Sequence, residues 1–180
     1  MKPFLFLNPF REVVVILAVC SSFIVSCKKD NVGNDNPDTG KKAYVSTIAG
    51  SGAGFLDGPA ASAKFYHPYD IAVQSDGSLV VTDHSNFRIR KIKDGQVTTI
   101  AGSGIEGYAD GNAGVAQFNE PYGIAMDKHG NIYVADFGNR RIRKITSAGV
   151  VSTVAGSGVE GETDGKGMAA EFAYPHDLVV

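Results

Sequence analysis

A carboxylate, an amide and a guanidinium recur at fixed spacing in this chain, as Asp83, Asn86 and Arg88 and again as Asp136, Asn139 and Arg141. Asp and Asn hold turns by bonding nearby backbone amides, and Arg pairs with a carboxylate. The repeated trio therefore points to turn-holding. A second set varies between equivalent positions and suits recognition better. Asp70, Gly123 and Asp177 share one slot, and Tyr69, Tyr122 and His176 fill the slot before it. Two carboxylates there suit a polar or cation-binding rim. The rings beside them suit stacking on a sugar or a peptide.

Other chemistry finds little support. The four histidines, His67, His84, His129 and His176, occupy unrelated places in the repeat. Zinc needs three or four converging ligands, so no metal site and no cofactor is expected. Ala-Gly-Ser-Gly occurs three times but never before a helix opening with Lys-Ser/Thr, so it is turn chemistry and not a phosphate loop. No nucleophile motif occurs. Arg88, Arg90, Lys91, Arg140, Arg141, Arg143 and Lys144 are basic, yet the net charge is −2, and nucleic acid is not an expected partner. The two cysteines, Cys20 and Cys27, precede the repeats, which rules out a disulfide framework within them.

These residues need elements to position them, and the repeat supplies the elements. Val45–Gly52 reads VSTIAGSG, Val97–Gly104 reads VTTIAGSG and Val151–Gly158 reads VSTVAGSG. An Asp-Gly pair follows each, at Asp57, Asp110 and Asp164, then a proline eleven residues later at Pro68, Pro121 and Pro175. A period of 52–54 residues marks an array of units. Within the first unit, short apolar runs at Asp70–Val73, Ser78–Thr82, Phe87–Ile92 and Val97–Ala101 are separated by polar turns. The second repeats them at Gly123–Met126, Asn131–Ala135, Arg140–Ile145 and Val150–Ala155. Four such strands make an antiparallel meander, apolar on both faces, which stacks radially on its neighbours as a propeller blade. Ala61–Phe65, Val115–Phe118 and Ala169–Phe172 read as helical turns, their phenylalanines plugging the gaps between blades.

The first 26 residues read as a leader: Lys2 and Arg11 precede the mostly apolar Val13–Val25. Ile24-Val25-Ser26-Cys27 resembles a bacterial lipobox, which implies cleavage before Cys27 and a lipid on it. Residues 27–43 are polar and read as a flexible tether. The expected location is the bacterial outer membrane or cell surface, with the membrane as a partner through the anchor.

PYGIAMDKHGNIYVADFGNRRIRKI at Pro121–Ile145, and PYDIAVQSDGSLVVTDHSNFRIRKI at Pro68–Ile92, resemble the NHL repeat family of β-propellers. The resemblance covers Tyr44 to Val180. It implies an all-β fold, with the first strand of each blade innermost and the slot of Asp70, Gly123 and Asp177 at the mouth of a central channel. Two complete four-stranded blades are expected over 44–180, with an orphan strand at each end, Val45–Ala49 and Asp177–Val180. A full ring of this family has six blades. The chain therefore reads as an incomplete propeller; the alternative is a cyclic trimer of two-blade units. The expected function is a binding module for a protein or glycan, and the alternative is a metal-dependent lyase or lactonase.

Overall fold

The computed structural model describes residues 15–17, 24–29 and 43–180. Three strands open it: β1 (Val15–Leu17), β2 (Ile24–Lys29) and β3 (Ala43–Ala49), paired antiparallel in that order. Two five-stranded sheets follow. In the first, β4 (Gly58–Pro59), β8 (Gln96–Ala101), β7 (Arg88–Lys93), β6 (Leu79–Asp83) and β5 (Pro68–Val73) lie side by side. The second repeats this with β9 (Gly111–Asn112), β13 (Val150–Ala155), β12 (Arg141–Ile145), β11 (Ile132–Asp136) and β10 (Pro121–Met126). Each sheet is the expected four-strand meander. The extra two-residue strand comes from the long preceding loop and clips onto the outermost strand.

Blade stacking follows from the side-chain alternation of the strands. On one face of the first blade, Val81, Ile92 and Val97 pack with Phe65, Ala63 and Ala49 of β3. On the other, Val80, Ile89 and Ala101 pack against Ile124, Ile132, Val134, Ile145 and Val151 of the second blade. Phe65 and Phe118 are both fully buried plugs in these interfaces. The helical turns precede them, with Ala63 N–H bonded to Pro59 C=O and Ala116 N–H to Asn112 C=O, so each turn ends before its phenylalanine. Gly167–Ala169 forms the third, as a 3₁₀ turn.

The C-terminal strand expected from the sequence is corrected here. Before Tyr44, where the sequence predicts a leader and a tether, β2 pairs with β3, with Cys27 opposite Val45. Residues 1–14, 18–23 and 30–42, most of the predicted leader and tether, lie outside the described residues. At the other end, Asp177–Val180 is not a strand. A first strand is held by the second strand of its own blade; here one bond remains, from Gly123 N–H to His176 C=O at 2.9 Å. The second-to-third-strand turns are, as expected, turns, and take 3₁₀ form at His84–Asn86 and Phe137–Asn139.

Candidate functional site

The recurring carboxylate and amide, with the arginines Arg90 and Arg143, build a buried knot at the base of each long loop. Asp83 is fully buried. One of its oxygens accepts from Tyr66 N–H at 2.8 Å; the other accepts from Asn86 Nδ2 at 2.8 Å and Arg90 Nη1 at 2.6 Å. Arg90, itself fully buried, continues to Asp57 at 2.6 Å and to the carbonyls of Lys64 and Leu56. Asn86 reaches the Gly54 carbonyl at 2.8 Å. Asp136, Asn139, Arg143 and Asp110 repeat the knot with the same partners one unit on. Burial pushes the Asp83 and Asp136 carboxyls up from the usual carboxylate range, while these donors pull them down.

Arg88 and Arg141 do not pair with those carboxylates. Arg88 donates to the carbonyls of Asn86 and Ser103 and lies 3.8 Å over the Phe55 ring, and Arg141 lies 3.9 Å over Tyr108. The ion-pair arginines are Arg90 and Arg143, two residues further on. A register shift between Ile89 and Arg90 in the β7–β8 ladder recurs between Ile142 and Arg143. The extra residue is on the outer strand, Ile100 or Val154, while Arg90 and Arg143 keep the alternation of their own strands and share a face with Ile92 and Ile145. The signal for them was present: Asp57 and Asp110 repeat in step with Arg90 and Arg143.

The second set of residues comes together. Each unit sends the residues flanking its proline to the same end of the inner strand: His67 and Tyr69, Glu120 and Tyr122, Tyr174 and His176. His67 and Glu120 both sit at φ 51°, a left-handed kink that turns the chain into the proline. Tyr122 is the hub. Its ring centroid lies 4.1 Å from Tyr69, 4.8 Å from His84, 4.7 Å from Phe137 and 4.7 Å from His176. Phe137 lies 4.9 Å from His176 and 5.5 Å from Tyr174. The result is one continuous aromatic strip crossing from the first blade past the second. Tyr69 is 42% and Tyr174 60% exposed. His84, Phe137 and Tyr174 were not singled out from the sequence. His84 and Phe137 occupy one repeat slot after the buried Asp, and Tyr174 shares the pre-proline slot.

The carboxylates of this end have distinct settings. Asp70 accepts from Ile71 N–H at 2.7 Å and, across the blade boundary, from Ile124 N–H at 2.8 Å. Burial pushes its carboxyl up, the two amides pull it down, and nearby Asp177 adds to the upward push. Asp70 is thus a tie between blades and not a free rim ligand. Asp177 is exposed and accepts from Leu178 N–H at 2.8 Å. Gly123, in the slot between them, has no room for a side chain: a Cβ would stand 2.7 Å from both Asp177 Cα and the His176 oxygen. Among the described residues no three His, Cys, Asp or Glu side chains cluster as metal ligands would.

Stacked four-stranded meanders with inner strands at one axis define a segment of a β-propeller. The repeats are similar to NHL repeats: the family model of the teneurin NHL domain matches residues 103–171. NHL repeat-containing protein 2 of Gallus gallus is 38% identical over 118 residues, covering 62% of this chain and 16% of that protein. Suppressor of quenching 1 of Arabidopsis thaliana is 37% identical over 91 residues, covering 49% of this chain and 9% of that protein. The chain therefore spans under a fifth of these relatives' length. A Bacteroides thetaiotaomicron protein of unknown function superposes with a TM-score of 0.64 at 27% identity, covering 87% of this chain and 39% of that one. A Bacteroides thetaiotaomicron protein described as an auxiliary nutrient binding protein superposes with a TM-score of 0.61 at 24% identity, over 79% of this chain and 35% of that one, and shares the fold alone.

Proposed function

We propose that the chain is a ligand-binding module, displayed at the outside of a bacterial membrane from a lipid on Cys27, with the aromatic strip as its contact surface. The observation that carries the reading is the convergence of rings from three successive units on one exposed strip. A core does not need them there, because the blades already pack through Val, Ile and buried Phe. Aromatic side chains left exposed together on a rigid scaffold mark a recognition surface. The lipid rests on the Ile24-Val25-Ser26-Cys27 sequence. No helix among the described residues is long and apolar enough to cross a membrane.

Two experiments test the two halves. Arrays of printed glycans and envelope proteins are probed with the wild-type chain and with a Tyr69→Ala/Tyr122→Ala double variant. Signals present for the first and lost for the second are expected; signals retained by both place the contact surface elsewhere. For the anchor, labelled fatty acid is expected on the wild type and absent from Cys27→Ala, which moves to the soluble fraction. A Cys27→Ala chain that stays with membranes sinks the lipid assignment.

A further inference from the structure

We propose that the aromatic strip binds an extended, neutral oligosaccharide, a ligand class that rests on the strip being the contact surface. The strip is long in one direction. Successive ring centroids from Tyr69 through Tyr122 and Phe137 to Tyr174 are 4.1, 4.7 and 5.5 Å apart, and His176 flanks this line against both Tyr122 and Phe137. A compact ligand would touch one or two of these rings, whereas a chain of flat units engages the series. A pyranose has a flat C–H face for a ring and hydroxyls at its edge. Tyr69 and Tyr122 hydroxyls and the His176 ring nitrogens are donors and acceptors of the matching kind, while the Tyr174 hydroxyl donates to Glu160.

A peptide finds less here. Peptides that add to a sheet need free backbone groups. At this end of the inner strands those groups are taken: Ile71 and Ile124 N–H by Asp70, Gly123 N–H by the His176 carbonyl and Asp70 N–H by Thr82 Oγ1. Charge argues further. Glu120 stands near enough to His84 and Tyr122 to act on both, and Asp177 is exposed beside His176. Carboxylates accept pairs of sugar hydroxyls but repel uronate, sulfated or phosphodiester chains.

The chain has no Trp, and three of its seven tyrosines, Tyr69, Tyr122 and Tyr174, lie in the strip, so binding is read by isothermal titration calorimetry alongside tyrosine emission. The full chain is titrated with cellohexaose, maltohexaose, xylohexaose and mannohexaose, with the matching disaccharides, with hexagalacturonate and with a Lys-rich hexapeptide. At least one neutral hexaose is expected to saturate the signal, with a Kd about tenfold or more below that of its disaccharide. Tyr122→Ala and Tyr174→Ala are expected to weaken it about tenfold, and Tyr122→Phe by less than about threefold. Tyr174, the most exposed ring of the strip, guards against a variant that merely fails to fold. The proposal is overturned if no neutral hexaose binds at millimolar concentration, or if hexagalacturonate or the peptide binds more tightly. If that rival binding is still lost in Tyr174→Ala, the ligand class falls and the contact surface stands. A hexaose that binds wild type and variants alike removes the contact surface as well.

Discussion

At the residue scale, the two arginines of the Arg-Ile-Arg sequence have opposite standing. Arg90 is buried among Asp83, Asp57 and two carbonyls, so removing it leaves Asp83 charged and without its cation. Such a break in a buried pair costs about 3–5 kcal/mol, and Arg90→Ala is expected to lower the urea-unfolding free energy by that amount. Arg88→Ala removes carbonyl bonds and a ring contact, so a loss of about 1 kcal/mol is expected. Equal losses for the two would refute the assignment. His84 carries the second prediction. Burial holds its imidazole below the ordinary histidine value of 6.5, against the pull of Glu120. Nε2 is buried without a partner, and Nδ1 shares Ser85 Oγ with His67. A folded-state value below the unfolded one means that the unfolded chain takes up the proton first. The contribution is therefore intact above pH 6.5 and is lost as pH falls below it toward the folded value. His84→Phe is expected to flatten that limb of the pH–stability profile measured by thermal unfolding, and an unchanged limb would remove His84 as its source.

At the element scale, the strands were legible because each is a short apolar run between turn residues, and the observed bounds shift by one or two positions. Asp83 and Asn86 were legible as turn formers for the same reason. Arg90 was not, because a charged residue within Ile89-Arg90-Lys91-Ile92 reads as solvent-facing, although it shares a strand face with the buried Ile92 and lies over the Phe65 ring. The strip was half legible: proline-flanking residues announce it, but the 3₁₀ turns that bring in His84 and Phe137 have no period of their own. The repeated Ala-Gly-Ser-Gly acquires a physical reason at this scale. Gly102 has φ +102°, and a Cβ on it would stand 2.4 Å from the Phe87 carbonyl oxygen; Gly156 meets Arg140 in the same way. Both strain and collision are with backbone that cannot move aside. Gly102→Ala is expected to cost about 1–3 kcal/mol. Gly77→Ala, at φ +80° with open space around it, carries only the left-handed penalty of about 1 kcal/mol. Chemical unfolding of the two variants separates them, and a Gly102→Ala chain as stable as Gly77→Ala would deny the close approach its importance.

For the whole molecule, the question is what keeps one blade in register with the next at the end where the strip lies. The apolar interface sets the blades face to face, but such packing is non-directional. Direction comes from Asp70, whose two oxygens read one amide in its own blade and one in the next. The following boundary uses a different device, a backbone bond from Gly123 to His176, and the crowding around Gly123 excludes a second aspartate there. The strip spans both boundaries, so its ring spacing depends on both ties. Asp70→Ala deprives two amides of their acceptor, and leaving a group of this kind unsatisfied costs about 1–3 kcal/mol. The change is expected to be local. Hydrogen exchange of the Ile124 amide accelerates, while amides of β12 and β13 on the outer side of the blade keep their protection. Because Tyr69 and Tyr122 flank the tie, the variant is also expected to weaken any ligand that engages both rings more than one held by Tyr174 alone. Unchanged exchange at Ile124 in Asp70→Ala would mean that the apolar interface fixes the register by itself, and that Asp70 is no part of what aligns the strip.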